Sequence, residues 1–194
     1  MKAILSLLAC LALAACTLPR ALPETTDLKA DPSEVVVIGK MELIPPIDSE
    51  YEQRSHWNVI GEKRMLTRVW MSTGGEFQPV NTANMDFGDF QDSLEAQWGV
   101  PFMVKVKRQR TYLNGGVFHL DVGDNAKLWF PGGLYFDVPK DAKAVYIGTL
   151  RYYRNDFNAI TSVEVVDERK DIAAALKTGG SPSEVRTSLL KRIR

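Results

Sequence analysis

The sequence predicts a mainly β protein, an antiparallel β-sandwich-like domain followed by two short C-terminal α-helices. Three observations carry that expectation. Residues 35–38 read Val-Val-Val-Ile, a β-branched run that is stiff at χ1 and suits a pleated sheet. From residue 35 to residue 166, short apolar runs are separated by turn residues, and no helical segment alternates with them, so a parallel βαβ sheet is not expected. Beyond residue 166 the apolar spacing lengthens toward that of a helix.

The elements follow in order. The first run continues through Met41-Glu42-Leu43-Ile44 and is stopped by Pro45-Pro46. Residues 65–71 read as a second strand, with Thr67 and Arg68 its only polar members. Phe102, Val104 and Val106 alternate with Met103, Lys105 and Lys107, which describes a half-buried strand with a largely basic outer face. Asn114-Gly115 between Tyr112-Leu113 and residues 117–122 reads as a hairpin turn, and Pro131-Gly132-Gly133 as a second one. Residues 144–153 and 160–166 form two further strands about a turn at Arg154-Asn155-Asp156. Asp167 can cap a helix bearing Ile172, Ala175 and Leu176 and ending at Gly179-Gly180. Ser181-Pro182-Ser183-Glu184 is a capping box, after which Val185, Leu189 and Ile193 recur on one helical face and are expected to pack on the sheet. Residues 45–64 and 72–99 carry no clear period and read as functional loops or unrecognised strands.

The first 34 residues are organised differently. Met1-Lys2 is a short basic start, residues 3–13 are apolar except for Ser6 and Cys10, and Leu13-Ala14-Ala15-Cys16 precedes polar Thr17 and Pro19. That is the layout of a signal peptide cut before residue 16. The apolar stretch is shorter than the ~20 residues a spanning helix needs. Leu13-Ala14-Ala15-Cys16 resembles the lipobox of bacterial lipoproteins, in which a thiolate accepts the diacylglycerol and the cysteine becomes the first mature residue. Leu7-Leu8-Ala9-Cys10 is a weaker rival, because Leu8 is bulky where a small residue is preferred. The resemblance implies a palmitate-bearing lipoprotein, and Thr17 in place of a retention aspartate implies the outer membrane, facing periplasm or cell surface. Acylation consumes the only mature thiol, so no disulfide is expected. Residues 16–34, with Pro19, Pro23 and Pro32 and no apolar period, read as a flexible tether able to span roughly 50 Å.

Gly133-Leu134-Tyr135 leads through Pro139 into Ala144-Val145-Tyr146-Ile147. This resembles a strand–Pro turn–strand pattern of immunoglobulin-like domains in bacterial envelope lipoproteins. The resemblance implies a fold and no activity.

Composition narrows the chemistry. Twenty-four basic residues balance 24 acidic ones, so no domain-wide field favours nucleic acid. No Gly-x-Ser-x-Gly elbow, His-Glu-x-x-His or phosphate-binding glycine loop is present, and no cofactor is expected. His56 and His119 are the only histidines; a hydrolase built on either is the least favoured reading, and His119 reads as paired with Asp121 on a polar strand face. Asp121, Asp124 and Asn125 could offer oxygens to calcium, but they lack the EF-hand frame and read as a turn. Lys105, Lys107, Arg108 and Arg110 form the sharpest charge cluster, suited to an anionic partner or to guarding a sheet edge. Trp57 and Trp98 fall in the unreadable loops and are the aromatic candidates for ligand contact. The favoured function is a non-catalytic interaction or assembly module with an envelope protein partner. The alternative is binding of an anionic envelope glycan or lipopolysaccharide.

The anchor is directly testable. Cys16→Ser should abolish incorporation of labelled fatty acid, whereas Cys10→Ser should leave it intact. Label retained in the first variant or lost in the second moves the anchor away from residue 16.

Overall fold

The computed structural model describes residues 31–55, 62–79, 93–123, 126–170, 172 and 185–194. Two five-stranded sheets face each other. Among the described residues the strands are β1 (Glu34–Ile44), β2 (Val69–Gly74), β3 (Ser93–Ala96), β4 (Pro101–Lys107), β5 (Thr111–His119), β6 (Lys127–Phe136), β7 (Ala144–Arg154), β8 (Ile160–Val166), β9 (Val185–Thr187) and β10 (Lys191–Arg192), and a short helix, α1 (Glu62–Thr67), precedes β2. The second sheet has the order β10-β6-β5-β2-β3 and is antiparallel throughout. The first has the order β4-β1-β7-β8, with β9 also on β7, and it is mixed: β1 and β9 both run parallel to β7. The wholly antiparallel arrangement expected from the sequence therefore holds for one sheet only.

The parallel pairing explains the Val-Val-Val-Ile run. Val35, Val36, Val37 and Ile38 are all fully buried. Val35 and Val37 point between the sheets, where they meet Phe102, Phe118, Phe130 and Ile147. Val36 and Ile38 point the other way, into a second cluster with Ala144, Tyr146 and Ile172. A strand covered on both faces has no polar side to alternate with.

The chain passes between sheets at both margins. Residues 97–100 carry it from β3 on one sheet to β4 on the other, and here Gly99 N donates to Met41 O at 2.8 Å. At the other margin β9 pairs with Ala144–Tyr146 of β7, Leu190 N donates to Ile147 O at 3.0 Å, and β10 then pairs with β6.

Several expectations are corrected. Val185–Thr187 and Lys191–Arg192 are strands, so the last helix does not form. Val185 and Leu189 do pack on the sheet, but from extended backbone, and Leu190 fills the inter-sheet core. Of the first expected helix, Arg169, Lys170 and Ile172 are helical, with Ile172 N bonded to Glu168 O at 3.2 Å; the rest, with the capping box at residues 181–184, lies outside the described residues. Met65, Leu66 and Thr67 belong to α1 rather than to a strand, and Thr67 Oγ1 donates back to Lys63 O at 2.8 Å.

Neither expected hairpin exists. Asn114-Gly115 lies inside β5 and Pro131-Gly132-Gly133 inside β6. Their register jumps from Leu113↔Leu134 to Gly115↔Pro131, so the two signals mark facing bulges. The reversal between β5 and β6 comes later, where Leu120 N and Asp121 N both donate to Ala126 O. The bulge depends on the missing side chain at Gly132, since a Cβ there would lie 2.2 Å from the Asn114 carbonyl carbon and 2.3 Å from its oxygen. Gly115 has φ of 140°, which a β-branched residue resists.

Gly132→Ala should therefore cost ~3 kcal/mol or more, because backbone on the facing strand must move. Urea unfolding checks this, and a midpoint equal to that of the parent would show that the two bulges are not in contact.

Candidate functional site

The strand directions sort the domain into two poles. At one pole lie the start of β1, the end of β4, the start of β5, the end of β6 and the start of β7. At the other lie the end of β1, the end of β7 and the start of β8.

The expected basic cluster sits at the first pole, where its members are put to different uses. Lys105 and Lys107 line a small cleft of about 210 Å³ where β4 and β3 splay, together with Glu34, Thr73, Ser93 and Thr111. Arg108 is structural. Its backbone N donates to Ser33 O at 2.7 Å, and its guanidinium donates to Pro32 O, Ala142 O and Glu34 O at 2.8–2.9 Å. One side chain thus ties the chain entering β1 to the connection before β7. Arg110 points elsewhere again, onto the outer face of the second sheet.

There Arg110 Cζ stands 4.8 Å from the Tyr135 ring centre and Lys191 Nζ 5.8 Å from it. Tyr112 packs beside Tyr135 with centroids 5.7 Å apart. Asp137 bridges the two cations, accepting from Arg110 Nε at 2.8 Å and from Lys191 Nζ at 3.0 Å. Those bonds, Lys191 first and then Arg110, hold its carboxyl below the usual carboxylate range. Arg110, Tyr112, Tyr135 and Lys191, with the tail residues 192–194, wall an open groove of about 670 Å³. The tail residues have the spacing of a helix end, which gives no sign of their place beside Arg110.

The opposite pole is organised by Arg154, a residue read only as part of a turn. Its side chain is 5 % exposed. It donates to Pro45 O at 3.0 Å, to Pro46 O at 2.8 Å, to Glu52 Oε1 at 2.8 Å and to Asn158 Oδ1. Two turns are locked by it. In one, Tyr51 N and Glu52 N donate to Asp48 O; in the other, Phe157 N and Ala159 N donate to Asn155 Oδ1, with Asn158 at φ 57°. Each turn holds a large aromatic side chain out in solvent. Tyr51 is 78 % exposed and Phe157 89 %. Asp48, Glu50 and Asp156, all exposed, occupy the same turns.

The remaining candidates are placed as follows. Trp98 is half-buried: its ring packs on the core, 5.1 Å from Phe130 and 5.7 Å from Phe118, where the chain crosses between sheets. His119 is 2 % exposed and edge-on to Trp70, so it does not sit on an exposed polar strand face. Trp57, His56, Asp124, Asn125 and Cys16 lie outside the described residues. Among the described residues no group of three His, Cys, Asp or Glu could hold a metal ion, and no helix is long and apolar enough to cross a membrane.

Comparison with protein-family models, curated proteins and solved structures finds no match to this chain. The functional reading therefore rests on the two poles themselves.

The Arg154 clamp carries a pH prediction. The Arg154 hydrogen bond, chiefly, lowers the Glu52 carboxyl to about 2. A carboxyl depressed on folding contributes stability above its unfolded value near 4.5, and that contribution is lost as pH falls toward 2. The contribution is at most about 3 kcal/mol. Glu52→Gln should lower stability at pH 7 and flatten the fall between pH 5 and pH 2. An unchanged pH profile of the unfolding midpoint would show that the clamp stores no such energy.

Proposed function

We propose that this chain is a non-catalytic interaction module of the cell envelope, anchored to the outer membrane through Cys16 and offering its Tyr51–Phe157 pole to a partner protein. The observation that carries the reading is Phe157, 89 % exposed at the apex of a turn fixed by Asn155 and Arg154. A large aromatic ring held rigidly in water gains nothing for the fold. It also loses little conformational freedom on docking, which is what makes such residues effective interface anchors. The surrounding carboxylates suit a partner pocket with an apolar floor and a basic rim.

Strand direction supports the same arrangement. The tether enters β1 at the Arg108 pole, and β1 runs 11 residues before reaching Pro45. The aromatic turns therefore project from the end of the domain remote from the lipid. A second reading, binding of an anionic envelope glycan or lipopolysaccharide, is favoured by the Tyr112–Tyr135 pair beside Arg110 and Lys191, since sugar rings stack on such faces.

A photo-crosslinking residue replacing Phe157 in intact cells should give one discrete protein adduct, and the same residue at Lys143 should not. Phe157→Ala should weaken capture of that partner by ~2 kcal/mol or more while leaving the unfolding midpoint within ~0.5 kcal/mol of the parent. Equal adducts from both positions, or an affinity unchanged in Phe157→Ala, would discard the docking assignment.

A further inference from the structure

We propose that the groove formed by Arg110, Tyr112, Tyr135, Lys191, Arg192 and Arg194 is a membrane-facing surface that takes the phosphates of anionic phospholipid headgroups. This rests on the reading of Cys16 as the lipid anchor. The argument begins with where the chain leaves the domain. Asp31 to Glu34 form a tight turn, with Glu34 N donating to Asp31 O at 2.8 Å and Ser33 N to Asp31 Oδ1 at 3.0 Å. Arg108 fixes that turn by binding Pro32 O and Glu34 O. The exit point is thus rigid, and it lies at the pole to which Arg110 and Tyr135 belong, because Arg110 follows Arg108 by two residues and Tyr135 pairs with Tyr112.

The fifteen-residue step from Cys16 to Asp31 can span at most roughly 50 Å. It keeps this pole within a few tens of ångströms of the headgroups, so that even weak attraction suffices at the resulting effective concentration. Screening confines that attraction to within ~8 Å of the surface at physiological salt, which makes contact rather than long-range steering the relevant state.

The groove has the chemistry for such contact. Guanidinium groups pair with phosphate through parallel N–H donors, and tyrosine is suited to the headgroup layer with an apolar body and a polar tip. Asp137 bridges Arg110 and Lys191 and neutralises one of the two cations it holds. Lys140 and Lys143 are exposed in the connection that follows Asp137, as is Asp141 between them. A glycan ligand alone would explain the tyrosines, but not why the cations gather where the tether leaves.

The test uses the mature chain from residue 16 carrying Cys16→Ser, so that acylation cannot cause binding. It is sedimented with vesicles of phosphatidylcholine alone or with phosphatidylglycerol added. Binding is expected only with phosphatidylglycerol and should fall steeply as salt rises. Arg110→Ala and Lys191→Ala should each weaken it about fivefold, and Asp137→Asn should strengthen it by a similar factor, with circular dichroism unchanged. Equal partition onto both vesicles, or indifference to all three substitutions, overturns the proposal. Displacement by millimolar inorganic phosphate at constant ionic strength would assign the groove to a free phosphate ligand instead, and binding confined to lipopolysaccharide would assign it to that glycolipid; either result also overturns it. Failure here leaves acylation of Cys16 standing, because the fatty-acid label reports on that separately.

Discussion

Burial of β1 on both faces is the constraint on which the other elements depend. Val35 and Val37 are covered by the opposing sheet, whereas Val36 and Ile38 need a separate cover on the outside. Ile172, Val185 and Leu189 supply it. Full burial of each such side chain contributes ~1.5–3 kcal/mol. A strand with this much apolar surface on both sides cannot lie at a sheet edge, and it is accordingly flanked by β4 and β7.

The edges of that sheet are then controlled by what lies beyond. β7 has its outer edge shared between β9, along Ala144–Tyr146, and β8, from Thr149 onward. The outer face is fastened by a closed ring of charges. Lys40 Nζ lies 2.7 Å from both Glu42 and Glu168, and Arg151 pairs with the same two carboxylates. Thr149 Oγ1 also donates to Glu168, and the bond from Lys40 is the largest influence holding that carboxyl low. Two cations and two anions leave this ring neutral, in contrast with the groove on the other sheet.

Much of the fold was legible because strand periodicity is local. β7 and β8 follow from their β-branched and aromatic runs almost to the residue. The glycine signals misled for a physical reason: the backbone freedom that lets Asn-Gly turn a hairpin also lets it bulge, and only the facing strand decides between them. The tail misled differently. Val185, Leu189 and Ile193 are spaced by four, which satisfies a helical face and an alternating strand face alike. The sites were less legible than the fold. The Arg108 side chain acts on backbone carbonyls tens of residues away, and Arg154 does so in part; a carbonyl leaves no mark in a sequence. Lys191 and Arg110 become neighbours only through the pairing of β10 with β6.

The clasp formed by β9 and β10 also sets an order of events. β1 is the first strand in the chain, yet its parallel partner lies some hundred residues later and its outer cover includes residues 185–189. Few of its contacts are local, and such topologies close slowly. In any delivery that proceeds from the N-terminus, β1 must wait as exposed hydrophobic chain until residues 185–192 arrive. That interval is when the protein is most open to aggregation or to a chaperone that binds extended apolar segments. The same delay keeps the chain threadable, so a narrow channel could pass it before the two sheets lock.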